Sequence, residues 1–430
     1  MRKLTLMNPS PIRIAMLSYH TCPLATLGGK DTGGMNVYVR DLSRQLGKSG
    51  IGVDVFTRSQ DEHVPHVLHD LGYGNRIVHI KAGPEVPMNK TALSGYIDDF
   101  VDGIVEFTSA KDLNYDLIHS HYWLSGLAGL KLRKIWKIPL IQMFHTLAVM
   151  KNRVARSPDE VASETRLEVE SRLLQESQKV VAATEAELAQ IRWLYRVDTD
   201  NVIVIPPGVD TARFYPIPKD EAKEFIGIHP EGRMLLFVGR IEPLKGIDTL
   251  FQAVSLLKQH GVMDKNPFYV AIIGGDPDAT PDKISNEMGR LKQLRQELGI
   301  EDLVAFLGKR DQDTLPYYYS AAEAVIVPSH YESFGLVALE AMACGTPVVA
   351  SETGGLAFLI KDGETGFHVP AADPEALCET LERVLVDVNL RERLGDQAAA
   401  YAKAYDWDII ADRLIALYRQ EISKASSSAG

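Results

Sequence analysis

Short apolar runs rich in β-branched residues alternate along this chain with longer stretches whose apolar residues recur at helical spacing. That alternation predicts βαβ units wound around parallel sheets. It occurs twice. In the first half, strands are expected at residues 12–18, 52–57, 76–80, 117–120, 140–144, 179–183 and 202–205. In the second half they are expected at 234–238, 269–273, 304–307, 324–328 and 347–350. A helix over 36–49 follows a glycine-rich loop and carries Val37, Val39, Leu42 and Leu46 on one face. The fold class is therefore α/β, with two Rossmann-like, doubly wound parallel-sheet domains. Pro206-Pro207-Gly208 can continue neither element type. It divides the chain into domains at 1–208 and 209–404, with a C-terminal helix over 405–430 expected to cross back to the first domain and to fray at Ser426-Ser427-Ser428. Ligand is expected between the domains, where the strand C-termini of both face a cleft.

Composition supports two cores. A chain of 430 residues exceeds what one hydrophobic core usually holds, and 45% apolar with 24% charged residues is ordinary globular usage. A formal charge of −11 argues against a sequence-independent grip on nucleic acid, which needs clustered cations. The cysteines Cys22, Cys344 and Cys378 are too few and too scattered for a disulfide framework or a zinc site, so a reducing cytoplasm is expected. No signal-peptide pattern opens the chain, and no apolar run reaches membrane-span length, so stable membrane insertion is not expected.

Candidate chemistry gathers at strand ends. The loop Gly28-Gly29-Lys30-Asp31-Thr32-Gly33-Gly34 joins the first strand to its helix, so backbone N–H groups there can meet a phosphate or sugar oxygen. Its spacing is not the G-x-G-x-x-G dinucleotide fingerprint. Arg240 and Lys245 lie on the loop after the strand at 234–238, where two cations can neutralise a leaving diphosphate; on an ordinary surface they would simply be solvated. Glu332 falls in the loop after the strand at 324–328, and Glu340 about two turns into the next helix. Carboxylates accept hydrogen bonds from sugar and ribose hydroxyls, and the apolar neighbours of Glu340 predict that it is buried with a polar partner.

Taken together, Arg240, Lys245, Glu332-Ser333-Phe334-Gly335-Leu336, Glu340 and Gly354-Gly355 resemble family 4 of the retaining glycosyltransferases, whose fold is the two-domain GT-B type. Thr32-Gly33-Gly34-Met35-Asn36, His119-Ser120-His121-Tyr122-Trp123 and His145-Thr146 are similar, within that family, to the mycothiol-pathway enzymes that glycosylate inositol phosphate. Sucrose-phosphate synthases are similar too, although their loop and glutamate segment differ from this chain at Met35 and Ser333.

The resemblance implies a nucleotide-sugar-binding second domain and an acceptor-binding first domain. Arg240 and Lys245 would stabilise the leaving diphosphate, with Gly33, Gly34, Ser333, Phe334, Gly335 and Leu336 around the donor. Glu332 and His145 would contact the transferred sugar, Glu340 the ribose and Arg310 the nucleobase. Asn36, Lys90, Tyr122, Thr146 and Arg166 would bind a phosphorylated acceptor, unless Arg166 only pairs with Glu170 one turn on. The expected reaction is metal-independent, retaining transfer of a hexose, glucose or N-acetylglucosamine, from a UDP-sugar to a small phosphorylated acceptor such as inositol phosphate. Sucrose-phosphate synthesis, or transfer to a lipid or polysaccharide, is the alternative. The UDP-sugar is a substrate, no cofactor or metal is expected, and a homodimer stays open. His119 and His121 share a face as metal ligands can, but no third ligand is near in sequence. Asp276-Pro277-Asp278 matches the D-x-D string of metal-dependent transferases, yet follows a second-domain strand and reads as a loop near the donor. Lys131-Leu132-Arg133-Lys134-Ile135-Trp136-Lys137 is a candidate membrane-facing patch that reads more simply as the basic end of an amphipathic helix.

Overall fold

The computed structural model describes residues 12–26, 32–155, 158, 161–278 and 286–428. Gly28, Gly29, Lys30 and Asp31 of the glycine-rich loop lie outside the described residues, as does the N-terminal segment before residue 12.

Two sheets form. The first contains β1 (Arg13–Leu17), β2 (Gly52–Arg58), β3 (Val67–Leu68), β4 (Arg76–Ile80), β5 (Leu117–His121), β6 (Leu140–Met143), β7 (Lys179–Ala182) and β8 (Val202–Val204), in the order β3-β4-β2-β1-β5-β6-β7-β8. The second contains β9 (Met234–Val238), β10 (Tyr269–Ile273), β11 (Val304–Gly308), β12 (Ala322–Val327), β13 (Val348–Ser351) and β14 (Gly366–Val369), in the order β11-β10-β9-β12-β13-β14. Every pairing is parallel except the short edge pair of β3 with β4. Strands buried on both faces run apolar, as β9 does; β12 departs from this at Glu323, whose carboxylate pairs with Lys219 and Arg391, and β13 at Ser351.

Each sheet reverses strand order once, between β1 and β5 and between β9 and β12. The loops leaving those four strands meet over a crevice, the usual ligand position in doubly wound sheets. Two strands, β3 and β14, are missed by the sequence expectation. Both are too short to show a period, and β14 opens on a glycine. The first long helix is Gly34–Lys48, two residues earlier than expected, because Gly33 serves as its N-cap.

The chain crosses between domains at two adjacent points, tied where Val209 pairs with Asp406. Val209 N–H donates to the Tyr405 carbonyl at 2.9 Å, and Trp407 N–H to that of Val209 at 3.1 Å. Beyond that knot, the helix Trp407–Ser428 lies against Gly34–Lys48 and buries Ile410, Leu414, Leu417 and Tyr418. Lys48 and Gln45 both hold Asp408. The serines expected to fray form this helix's last turn. Among the described residues, no helix is long and apolar enough to cross a membrane. The basic run Lys131–Lys137 ends the helix Tyr122–Trp136, where Lys131 meets Asp98 and Arg133 caps the Glu176 carbonyl, consistent with a helix C-terminus that favours cations.

Candidate active site

A cavity of about 310 Å³ lies between the two switch points. Its second-domain wall begins where β9 ends. The turn Pro243–Lys245 leads into the helix Ile247–Gln259 and places Lys245 Nζ 2.5 Å from Glu332 Oε2. Arg240 meets Glu242 at 2.6 Å. The Glu332 loop is held from behind, since its carbonyl accepts from Gly355 N–H at 2.8 Å. Gly354 is left-handed at φ +49, and a Cβ there would stand 2.1 Å from that same carbonyl oxygen, so only glycine fits. Gly335, at φ +105, caps the helix Leu336–Ala343 and leaves its first N–H groups facing the cavity. One turn further in, the Tyr319 hydroxyl donates to Glu340 Oε2 at 2.7 Å, the buried polar partner expected for this glutamate. Burial pushes Glu340 up to about 7. Arg310 donates to the Tyr318 hydroxyl at 2.9 Å and borders both this cavity and a smaller one lined by Gly275, Asp276 and Pro277.

The first-domain wall faces it. A Cβ on Gly33 would stand 3.4 Å from Arg240 Nε, and one on Gly34 would stand 3.1 Å from Leu336, so these glycines let the domains approach. Asn36 lines the cavity, but its amide is engaged: it accepts from Gly33 N–H and donates to Thr21 and the Cys22 carbonyl, fixing the loop. Tyr122 lies between two cations, with Lys90 Nζ 5.3 Å and the Arg166 guanidinium 4.9 Å from its ring centre. Arg166 also donates to the Tyr122 hydroxyl at 3.1 Å and to the Thr146 carbonyl and hydroxyl at 2.8 and 3.2 Å. Of the five residues expected at the acceptor, Lys90, Tyr122, Thr146 and Arg166 therefore converge from four segments, while Asn36 is engaged in the loop. The expectation needs one correction: Arg166 stands behind the wall rather than on it, buried, with its Nε 2.7 Å from Glu170. Pairing with Glu170 and contact with the site are both present.

Tyr122 and His145 hold left-handed backbone, φ +76 and +62, which costs a side-chain-bearing residue on the order of 1 kcal/mol or more. Strain retained at two cavity-lining positions fits a site in which orientation matters.

Several cavity residues escape the sequence reading. His20 ends the first strand's turn with its ring 4.6 Å from that of Tyr122. Its place at a switch-point strand end is the signal that could have found it. Gln312 accepts from Arg213 near the start of the second domain at 3.0 Å and from Arg40 of the first domain, and the Arg40 contact clasps the walls together there. Tyr331 reaches across to Gln190 at 3.4 Å. Among the described residues, no three His, Cys, Asp or Glu side chains form a group able to hold a metal. Asp276 and Asp278 form a local turn after β10, the loop position expected for them.

Behind the first-domain wall, Glu187 accepts from Ala183 N–H at 2.7 Å, while its Oε1 has no partner among the described residues. Burial, opposed by that hydrogen bond and reinforced by Glu170, pushes it up to about 7. The folded state thus holds a proton there that the unfolded chain releases near 4.5. Its contribution to stability is full below that value and is lost as pH rises through about 7, on the order of 3 kcal/mol. Glu187→Gln keeps the acceptor without the charge. Its melting temperature should exceed wild type by a margin that grows from pH 5 to pH 8; a margin constant with pH would show that Glu187 is charged in the fold.

Residues 32–213 match the family model "Glycosyltransferase Family 4", and residues 218–401 match "Glycosyl transferases group 1". The D-inositol 3-phosphate glycosyltransferase of Actinosynnema mirum is 38% identical over 412 residues, covering 95% of this chain and 97% of that protein. That of Thermomonospora curvata is 38% identical over 413 residues, covering 94% and 95%. Among solved structures, the sucrose-phosphate synthase of Thermosynechococcus elongatus superposes with a TM-score of 0.87 at 35% identity, covering 96% of this chain and all of that one. With both switch-point loops in place and relatives matched over nearly their whole length, the chain belongs to the family 4 glycosyltransferases and has their two-domain GT-B fold.

Proposed function

We propose that this enzyme is a metal-independent, retaining hexosyltransferase that moves glucose or N-acetylglucosamine from a UDP-sugar to a small phosphorylated acceptor, inositol phosphate first among them. The observation that carries the reading is the pairing of two walls. Lys90, Tyr122 and Thr146, backed by Arg166, face a second wall of Arg240, Lys245, Glu332 and Glu340 across one cavity. The relatives named for D-inositol 3-phosphate support the acceptor class. In this reading the first domain binds the acceptor and the second the nucleotide-sugar.

The donor's diphosphate lies against Arg240, Lys245 and the N-terminus of the helix Leu336–Ala343, which together stabilise the charge that grows as the glycosidic bond breaks. Glu340 keeps one carboxylate oxygen on Tyr319 and offers the other to the ribose. Glu332 and His145 hold the transferred sugar, with Gly33 and Gly34 closing over it. Arg310 faces the nucleobase from the smaller cavity. The leaving phosphate oxygen takes the acceptor's proton on the face it departs from, which retains configuration without a protein nucleophile. The three free thiols fit a cytoplasmic enzyme.

A second reading, sucrose-phosphate synthesis, is favoured by the 35% identity to the Thermosynechococcus enzyme. UDP release measured for UDP-glucose and UDP-N-acetylglucosamine against inositol phosphate, fructose 6-phosphate and their dephosphorylated forms decides between the two. Turnover should require a phosphorylated acceptor and should persist in excess chelator. Equal use of phosphorylated and unphosphorylated acceptors refutes the phosphate site; activity abolished by chelator and restored by magnesium or manganese refutes metal independence.

A further inference from the structure

β5 ends in His119-Ser120-His121, and the alternation of a strand puts both imidazoles on one face. They do not converge on a common point. His121 Nδ1 lies 3.0 Å from His145 Nε2, a hydrogen bond across the end of β6. The His119 ring packs on that of His121 with centres 4.3 Å apart. At the far end, His119 Nδ1 lies 2.7 Å from the hydroxyl of Tyr418, which belongs to the C-terminal helix Trp407–Ser428. Tyr38 braces the column from the side, its ring edge-on to His121 at 5.5 Å and to His145 at 5.1 Å, and it is backed by Trp407 of the same C-terminal helix at 5.4 Å.

Only His145 of the three histidines lines the cavity. Its backbone is left-handed, so its ring direction has to be held by its neighbours. Burial pushes His119 and His145 down to about 3 and His121 well below the ordinary imidazole value, so all three are neutral. A neutral imidazole has one donor and one acceptor nitrogen. The bond between His121 and His145 therefore decides which nitrogen of His145 carries hydrogen, and hence whether its other nitrogen gives or takes a hydrogen bond. His119 Nε2 and His121 Nε2 have no hydrogen-bond partner among the described residues, so the Nδ1 contacts orient both rings.

We propose that His121 is a positioning residue for His145, held in place through His119 by Tyr418, so that the helix crossing back from the second domain is part of the transfer machinery. Buried side-chain hydrogen bonds and ring contacts join the helix to the cavity wall at His145. The proposal rests on the reading that His145 faces the transferred sugar.

The test uses the full chain with His121→Asn, His121→Phe and Tyr418→Phe. An asparagine amide occupies the place of Nδ1, whereas phenylalanine fills the ring volume and offers no partner. Asparagine should keep kcat within about threefold of wild type, and phenylalanine should lose about ten- to a hundredfold in kcat with KM for the donor nearly unchanged. Tyr418→Phe, which removes one oxygen and leaves the packing, should lose about three- to tenfold in kcat. If packing alone mattered, phenylalanine at 121 would outperform asparagine, and that result overturns the proposal. A second readout needs no substrate. Long-range proton–nitrogen correlation spectra should show one His145 tautomer in wild type and a mixture in His121→Phe, or in Tyr418→Phe if the former does not fold. An unchanged His145 tautomer in the folded variants overturns the proposal even where no donor and acceptor pair is turned over, a result that would count only against the proposed function.

Discussion

Replacing Lys245 with alanine is expected to lower turnover by about a hundred- to a thousandfold while changing donor affinity far less. The ammonium lies at the end of β9, where the leaving diphosphate is expected, and its contact in this structure is the Glu332 carboxylate at 2.5 Å. Both groups are largely shielded from water, so their mutual attraction and any repulsion left after its loss are stronger than at a surface. Removing Lys245 deletes a cation where charge grows and also strands a carboxylate beside that charge. The two losses can be separated. Glu332→Gln in the Lys245→Ala background should recover part of the turnover, because it removes the stranded charge, whereas Glu332→Gln alone should cost activity. Single-turnover rates for the four proteins of this cycle give the coupling directly. Lys245→Ala turning over within threefold of wild type would place the leaving-group charge elsewhere.

Much of this arrangement is readable from residue order because doubly wound sheets put function at predictable places. Once β1, β5, β9 and β12 are recognised by their apolar runs, the segments leaving them border one crevice: Gly33, Lys245 and Glu332 lie on such connections, and Tyr122 opens the helix that follows β5 directly. What residue order hides is which side of the wall a side chain occupies. The spacing of Arg166 and Glu170 announces a helical pair. It carries no sign that the same guanidinium also reaches Tyr122 and Thr146, because those contacts depend on how helix Glu164–Glu176 docks against the ends of β5 and β6. Likewise His119 and His121 read as a possible metal pair until His145 and Tyr418, distant in the chain, supply partners for their Nδ1 atoms. Gln312 and Tyr331 belong to no motif. They matter through contacts made only when the two domains are face to face.

That docking changes how the acceptor site should be probed. Arg166→Ala is expected to destabilise the fold by about 3–5 kcal/mol, the usual cost of leaving one member of a buried pair alone. Glu170 is fully buried, and besides Arg166 it accepts from Ala148 N–H and the Tyr195 hydroxyl. Those two donors cannot replace a counter-charge. An alanine variant that loses activity would therefore say little about phosphate. Removing both charges is the better experiment, since Arg166→Met with Glu170→Leu empties the pair of charge at similar volume and should regain most of the lost stability. Lys90→Ala is the complementary probe, because its stem is only partly buried at the start of a short helix. It should leave unfolding in urea nearly unchanged and weaken a phosphorylated acceptor by about ten- to a hundredfold, as expected for one charge-assisted hydrogen bond. The dephosphorylated acceptor should be bound equally by Lys90→Ala and wild type. If the double variant is stable and still saturates with phosphorylated acceptor as wild type does, Arg166 serves only to hold Tyr122 and Thr146 in place. If it is stable and loses that affinity while Lys90→Ala loses it too, the two cations flanking the Tyr122 ring act together on the acceptor's phosphate.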